Sequence, residues 1–127
     1  MCAKCKEATP VEEKEVRLIT NILGDMVAHS KLDALEGVRP DIAYTAYKPV
    51  GCESCSNGYK GRIGIFEAIT MSPEVEVLMD KNPSENEIKL ASISQGIPTL
   101  REDAILKVLA GITSLDEVSR VVDLYEE

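Results

Sequence analysis

Apolar positions early in the chain recur with a helical period. In TPVEEKEVRLITNILGDMVAHS, Val16, Ile19, Leu23, Met26 and Val27 follow one another at spacings of three, four, three and one, which places them on one stripe of a helix. Thr9 as N-cap, Pro10 at the first helical position and Glu12 closing a capping box predict that this helix covers about residues 10–29. The next stretch, SKLDALEGVRPDI (30–42), mixes short apolar pairs with Gly37 and Pro40 and reads as a short helix and a connection. AYTAYKPV then reads as a strand that ends at Pro49, and RIGIFEAI, apolar at nearly every position, as a strand covered on both faces. From residue 72 the pattern is helical and its boundaries are marked. Ser72 with Pro73 opens a short helix, and Ser84 with Glu87, Thr99 with Glu102 and Ser114 with Glu117 form three capping boxes. With Gly96 and Gly111 as stops, helices are expected over about 85–95, 100–110 and 115–124. Leu100, Ala104, Leu106, Val108 and Leu109, then Leu115, Val118, Val121 and Val122, give them stripes that can pack as a small bundle.

A chain of 127 residues with 44% hydrophobic content can bury one modest core and a satellite, so one or two small globular domains are expected. No apolar run approaches the roughly 18 residues of a membrane span, and MCAKCKEATP has no apolar signal region, which predicts a cytosolic protein. The net charge of −8 is unevenly placed: residues 1–65 hold nine acids and nine bases, residues 66–127 thirteen acids and five bases. An acidic second half repels phosphate backbones and disfavours nucleic-acid binding, and solvated helix faces account for the charge.

All four thiols fall in two C-x-x-C pairs, Cys2/Cys5 and Cys52/Cys55, with 46 residues between Cys5 and Cys52. Two such pairs can present four thiolates to one tetrahedral ion and fill every position that zinc offers, so the metal would be structural. Two disulfides do not suit a reducing cytosol, and a dithiol redox centre would leave one pair unexplained. Iron in the same four-sulfur geometry stays open. Structural zinc contributes about 10–16 kcal/mol apparent at neutral pH, comparable with the net stability of a whole domain. Lys4, Lys6, Lys60 and Arg62 are placed to offset the two negative charges such a site would carry, or simply to aid solubility. His29, the one histidine, falls in the last turn of the predicted helix, where a cation suits the dipole. A ligand as early as Cys2 would fray without preceding chain, so Met1 is expected to be an added start and the natural polypeptide to extend upstream. Gly58, Gly61 and Gly64 do not form a phosphate loop: the spacing is wrong, no Lys-Ser/Thr pair follows, and the strand comes after them. Tight turns around the metal explain them better.

GCESCSNGYKGRIGIFEAITMSPEV, followed at the right distance by TLREDAILKVLAGITSLDEVSRV, resembles the C-terminal portion of the type II secretion and type IV pilus assembly ATPases. The resemblance runs from the first cysteine pair to about Val122 and implies an α+β fold in three parts. Residues 1–60 would be a zinc-stapled tetracysteine subdomain with a long helix and a short strand pair, 61–71 a strand of the parent ATPase core, and 72–127 a C-terminal helical subdomain. It also implies Cys2, Cys5, Cys52 and Cys55 as zinc ligands, with ATP and magnesium bound only by a missing upstream part, since the Gly-Lys-Ser/Thr loop and the acidic and histidine boxes of such ATPases are not in this sequence. No residue is expected to be catalytic, and the chain alone is expected not to be an enzyme. Implied partners are its own upstream ATPase domain, neighbouring subunits of a hexamer and an inner-membrane platform protein, with neither nucleic acid nor direct membrane insertion. The implied location is cytoplasmic, at the inner membrane. Without its upstream neighbour the 61–69 strand is expected to pair with residues 43–48 or to expose an edge. Two other functions compete: a stand-alone zinc-ribbon adaptor, which calls for a basic aromatic face, and a dithiol redox module, which calls for reductase activity without metal.

Overall fold

The computed structural model describes residues 1–29, 31 and 44–125. Two strands, β1 (Glu7–Pro10) and β2 (Thr45–Lys48), pair antiparallel in the register Glu7 with Lys48, Ala8 with Tyr47, Thr9 with Ala46 and Pro10 with Thr45. The helices are α1 (Glu13–Ala28), α2 (Pro73–Met79), α3 (Glu85–Ser92), α4 (Leu100–Leu109) and α5 (Leu115–Ser119), with a 3-10 turn Ile93–Gln95 after α3. This is the expected α+β fold: a long helix, a strand pair and a following set of short helices. Most of the segment expected as a short helix and connection, 30 and 32–42, lies outside the described residues.

Each helix start follows from local chemistry. Ser72, Ser84, Thr99 and Ser114 have extended backbones and accept hydrogen bonds from the N–H of Val75, Glu87, Glu102 and Glu117. The acidic excess settles at these ends: every described helix carries two acids in its first turn, where the dipole favours them. Gly96 and Gly111 close the helical runs before them with φ of 69° and 70°. Three boundaries differ from expectation. Helix α1 begins three residues later than predicted because Thr9 and Pro10 are engaged in β1, and the Glu12 N–H is instead satisfied by the Glu15 carboxylate at 3.1 Å. Helix α3 stops at Ser92 and the 3-10 turn completes the predicted span. Helix α5 is half its expected length, so Val122 and Leu124 reach the core from irregular backbone while Val121 is 72% exposed.

The core is built where α1 lies against α4 and α5. Ile19, Ile22, Leu23 and Met26 meet Ala104, Ile105 and Val108, closed off by Val118, Val122 and Leu124. Each large side chain so buried stabilises the fold by about 1.5–3 kcal/mol. The expected stripes are thereby shared between the first and last helices, with two exchanges: Ile22 and Ile105 are inside, and Val27 and Leu100 are exposed. One buried polar pair crosses this interface. Lys31 donates to Glu102 at 2.7 Å, with side chains 3% and 7% exposed, and the same Glu102 oxygen accepts the Thr99 N–H at 2.8 Å. The capping carboxylate of α4 is therefore also the counter-ion of a lysine at the end of α1.

Residues 61–71 form no strand ladder, and the expected partner, β2, is taken by β1. The segment is held to α4 and the 3-10 turn by side chains that bond several of its backbone groups. Phe66 N–H donates to Asp103 at 2.9 Å, Lys107 donates to the Gly64 carbonyl at 2.7 Å, and Gln95 both accepts from Thr70 N–H and donates to its carbonyl at 2.8 Å. Ile65 packs on the core, but Ile63, Phe66, Ile69 and Met71 are exposed, so the expected covering of both faces is not met in this chain.

Candidate metal centre

The strand pair brings the two cysteine turns together. Lys6 N–H closes a turn onto the Cys2 carbonyl at 3.2 Å, Cys55 N–H closes one onto Cys52 at 3.2 Å, and Cys2 N–H joins the two by donating to the Gly58 carbonyl at 2.8 Å. Gly58 is the residue this junction requires. Its φ is +87°, and an added Cβ would lie 2.4 Å from Pro49 Cβ. A two-stranded bridge, Ser56 with Tyr59, closes the loop behind Cys55.

The result is a cluster in which the sulfurs of Cys2, Cys5, Cys52 and Cys55 all lie within 4.8 Å of one another. Neighbouring sulfurs are 3.9 Å apart for Cys2 and Cys52 and 3.7 Å apart for Cys5 and Cys55 and for Cys52 and Cys55. Four sulfurs each about 2.3 Å from a central ion stand about 3.8 Å from one another, so the cluster has the dimensions of a tetrahedral thiolate site. All four cysteines are free thiols, and backbone N–H groups of Gly51 and Cys52 point at the sulfurs of Cys5 and Cys55 at 3.3 and 3.2 Å. Such donors stabilise thiolate charge.

Proton affinity divides across the cluster. The Lys4 N–H, ahead of the neighbouring sulfurs of Cys5 and Cys52, draws the Cys2 thiol down to about 7 against the opposing effect of burial. At Cys52 the Ser54 N–H pulls the same way, but burial and the sulfurs of Cys55, Cys5 and Cys2 outweigh it and push the thiol up to about 11. Sulfurs this close cannot all ionise unless a cation shares their space. The donor set therefore fits a divalent metal, which would displace the remaining protons.

Of the predicted charge-balancing cations, Lys4 lies across the cluster and donates to Ser54 Oγ at 3.2 Å, whereas Lys6 turns away to the Gly111 carbonyl at 2.8 Å and lies 4.5 Å from the Tyr47 ring centre. Lys60 and Arg62 line a cleft of about 600 Å³ between the cysteine turns and the α4–α5 turn. His29 is exposed at the end of α1 and is not part of the cluster. Sequence reasoning did not find the docking of this centre onto the helices. Tyr59 Oη lies 2.8 Å from Ser114 Oγ, the hydroxyl that caps α5. Ser114 was legible as a cap, but nothing in a linear pattern points to a partner 55 residues away.

Residues 1–120 match the family model described as "Type II/IV secretion system protein". The chain belongs to this family, that of the type II secretion and type IV pilus assembly ATPases. It is 34% identical over 121 residues to the type IV pilus assembly ATPase PilB of Pseudomonas aeruginosa, covering 95% of this chain and 19% of that protein. It is 36% identical over 109 residues to the type II secretion system protein E of Pectobacterium carotovorum, covering 83% of this chain and 22% of the relative. With PilB of Thermus thermophilus it shares 44% identity over 73 residues, 57% of this chain and 8% of that one. The chain thus spans about a fifth of the length of the first two. No solved structure matches it. Among the described residues no helix is long and apolar enough to cross a membrane.

Proposed function

We propose that this chain is the noncatalytic, zinc-stapled C-terminal module of a hexameric ATPase that powers type IV pilus assembly or type II protein secretion. The observation that carries this is the convergence of four sulfurs, from two turns separated by 46 residues, to within 4.8 Å in a chain whose family match covers residues 1–120. Cys2, Cys5, Cys52 and Cys55 hold the zinc, which is structural because four thiolates leave no position for a reactive water. ATP and magnesium are held by the upstream part of the longer protein, to which relatives with ATPase names correspond.

The proposed division is a tetracysteine subdomain (1–60), a strand lent to the ATPase core (61–71) and a helical subdomain (72–127). What supports the middle part is that Ile63, Phe66, Ile69 and Met71 are uncovered, apolar side chains suited to a sheet supplied by the upstream domain. Its partners are that domain, neighbouring subunits and the cytosolic part of an inner-membrane platform protein, which places it in the cytoplasm at the inner membrane. The acidic second half would meet a basic patch on the platform.

Elemental analysis of the purified chain tests the central claim: one zinc per chain is expected, with no ATP hydrolysis. A metal-free, fully folded protein overturns it. Titration with a platform cytosolic domain should show binding that weakens with salt, and salt-independent binding removes the charge contribution.

A further inference from the structure

Among the described residues, hydrogen bonds from the cysteine turns to the helical part gather at the turn from α4 into α5. Lys6, which ends the first cysteine turn, donates to the Gly111 carbonyl at 2.8 Å. Gly111 has φ of +70°, and a Cβ there would meet Lys6 Nζ and the Tyr47 ring, each at 2.7 Å. Tyr59, which closes the loop behind Cys55 through two 2.9 Å backbone bonds with Ser56, reaches Ser114 Oγ at 2.8 Å. Ser114 Oγ accepts the Glu117 N–H at 3.3 Å and so begins α5. That helix has five residues, too few to hold itself, yet it carries Val118 into the core at 1% exposure.

We infer that the metal centre is a latch on the α4–α5 turn: occupancy of the four-cysteine site orders the Ser56–Tyr59 loop, and Tyr59 passes that order through Ser114 to α5. The inference rests on the metal assignment proposed above. It goes further by making α5, and with it the cleft walled by Tyr59–Ile63 on one side and Ile112, Glu117 and Val121 on the other, dependent on the metal. Lys6 and Tyr59 are positioning residues, since neither is a ligand. Because the coupling is an equilibrium one, it runs in both directions: the factor by which bound metal favours the Tyr59–Ser114 contact is the factor by which that contact strengthens metal binding.

Tyr59→Phe removes one hydroxyl and leaves four cysteines, so it separates the latch from the site. In the zinc-loaded chain, amides over 112–118 should exchange about fivefold faster in the variant, the effect of one neutral hydrogen bond. Zinc affinity, measured by competition with a chromophoric chelator, should fall by a similar factor while stoichiometry stays at one. Lys6→Met should act in the same direction at Gly111 and Ile112. If zinc binds with unchanged affinity in Tyr59→Phe, or if removing zinc leaves exchange over 112–118 as it was, the latch is wrong and the metal assignment stands. If the chain takes up no zinc, both fall together.

Discussion

Among the described residues, ten packed side chains around α1, α4 and α5 exclude water, whereas around the cysteine turns and the strand pair the buried apolar side chains are those of Cys2 and Ala46. The first region is stabilised by area removed from water, which depends on many small contributions. The second has little area to remove, so on the proposed assignment its order would depend on one bound ion and a few hydrogen bonds to the helices. The two should therefore fail under different insults.

The sharpest way to break that contrast is to remove the metal. Chelation withdraws about 10–16 kcal/mol of apparent binding energy, and amide protection in β1 and β2 should vanish before that of α1 and α4. Loss in the reverse order would mean that the centre is an ornament on the helical core. Lower pH should do the same more gently: the metal needs four thiolates, so protons compete increasingly as pH falls, and zinc retention followed by elemental analysis should decline toward acid. Next in size is Glu102→Ala, which strands Lys31 in the interior and removes the carboxylate half of the α4 capping box. A loss of about 3–5 kcal/mol in denaturant unfolding is expected, with zinc stoichiometry unchanged. The pair Lys31→Met with Glu102→Leu should recover part of it, because neither charge is then orphaned. Leu23→Ala should cost about 2–5 kcal/mol, again without touching the metal. Smallest is the cap of α3. The N–H and then the hydroxyl of Ser84 hold the Glu87 carboxyl below its ordinary value. The folded state is therefore favoured by its ionised form above about pH 4.3, the value in an unfolded chain, and that contribution disappears as pH falls through the lowered value. Carboxyl titration by NMR should place Glu87 below an unperturbed glutamate, and Glu87→Gln should remove the pH response of α3.

What the sequence made legible was chemistry confined to a few neighbouring residues. Ser72, Ser84, Thr99 and Ser114 were readable as caps because the cap hydroxyl and the N–H that donates to it lie three positions apart, and the cysteines because pairs of them announce a site. What was not legible depends on distant partners. Thr9 and Glu12 satisfy the capping pattern, yet Thr9 faces Ala46 across a strand pair that local propensity cannot foresee. Lys31 finds Glu102 across 71 positions, and Val121 points outward because α5 stops short once Val122 and Leu124 are buried without it. RIGIFEAI reads as a buried strand on composition, but a strand needs a neighbour, and among the described residues β1 already holds β2.

The side-chain tethers of residues 61–71 bear on how this module could be exchanged between settings. Gly64, Phe66 and Thr70 meet the helical part through the side chains of Lys107, Asp103 and Gln95, and Glu67 through its own carboxylate, which accepts the Leu100 N–H. Asp103 and Lys107 are already an ion pair with each other. Peeling the segment away would leave the α4 ladder whole and the two charges matched, so another sheet could capture it without first dismantling the scaffold beneath.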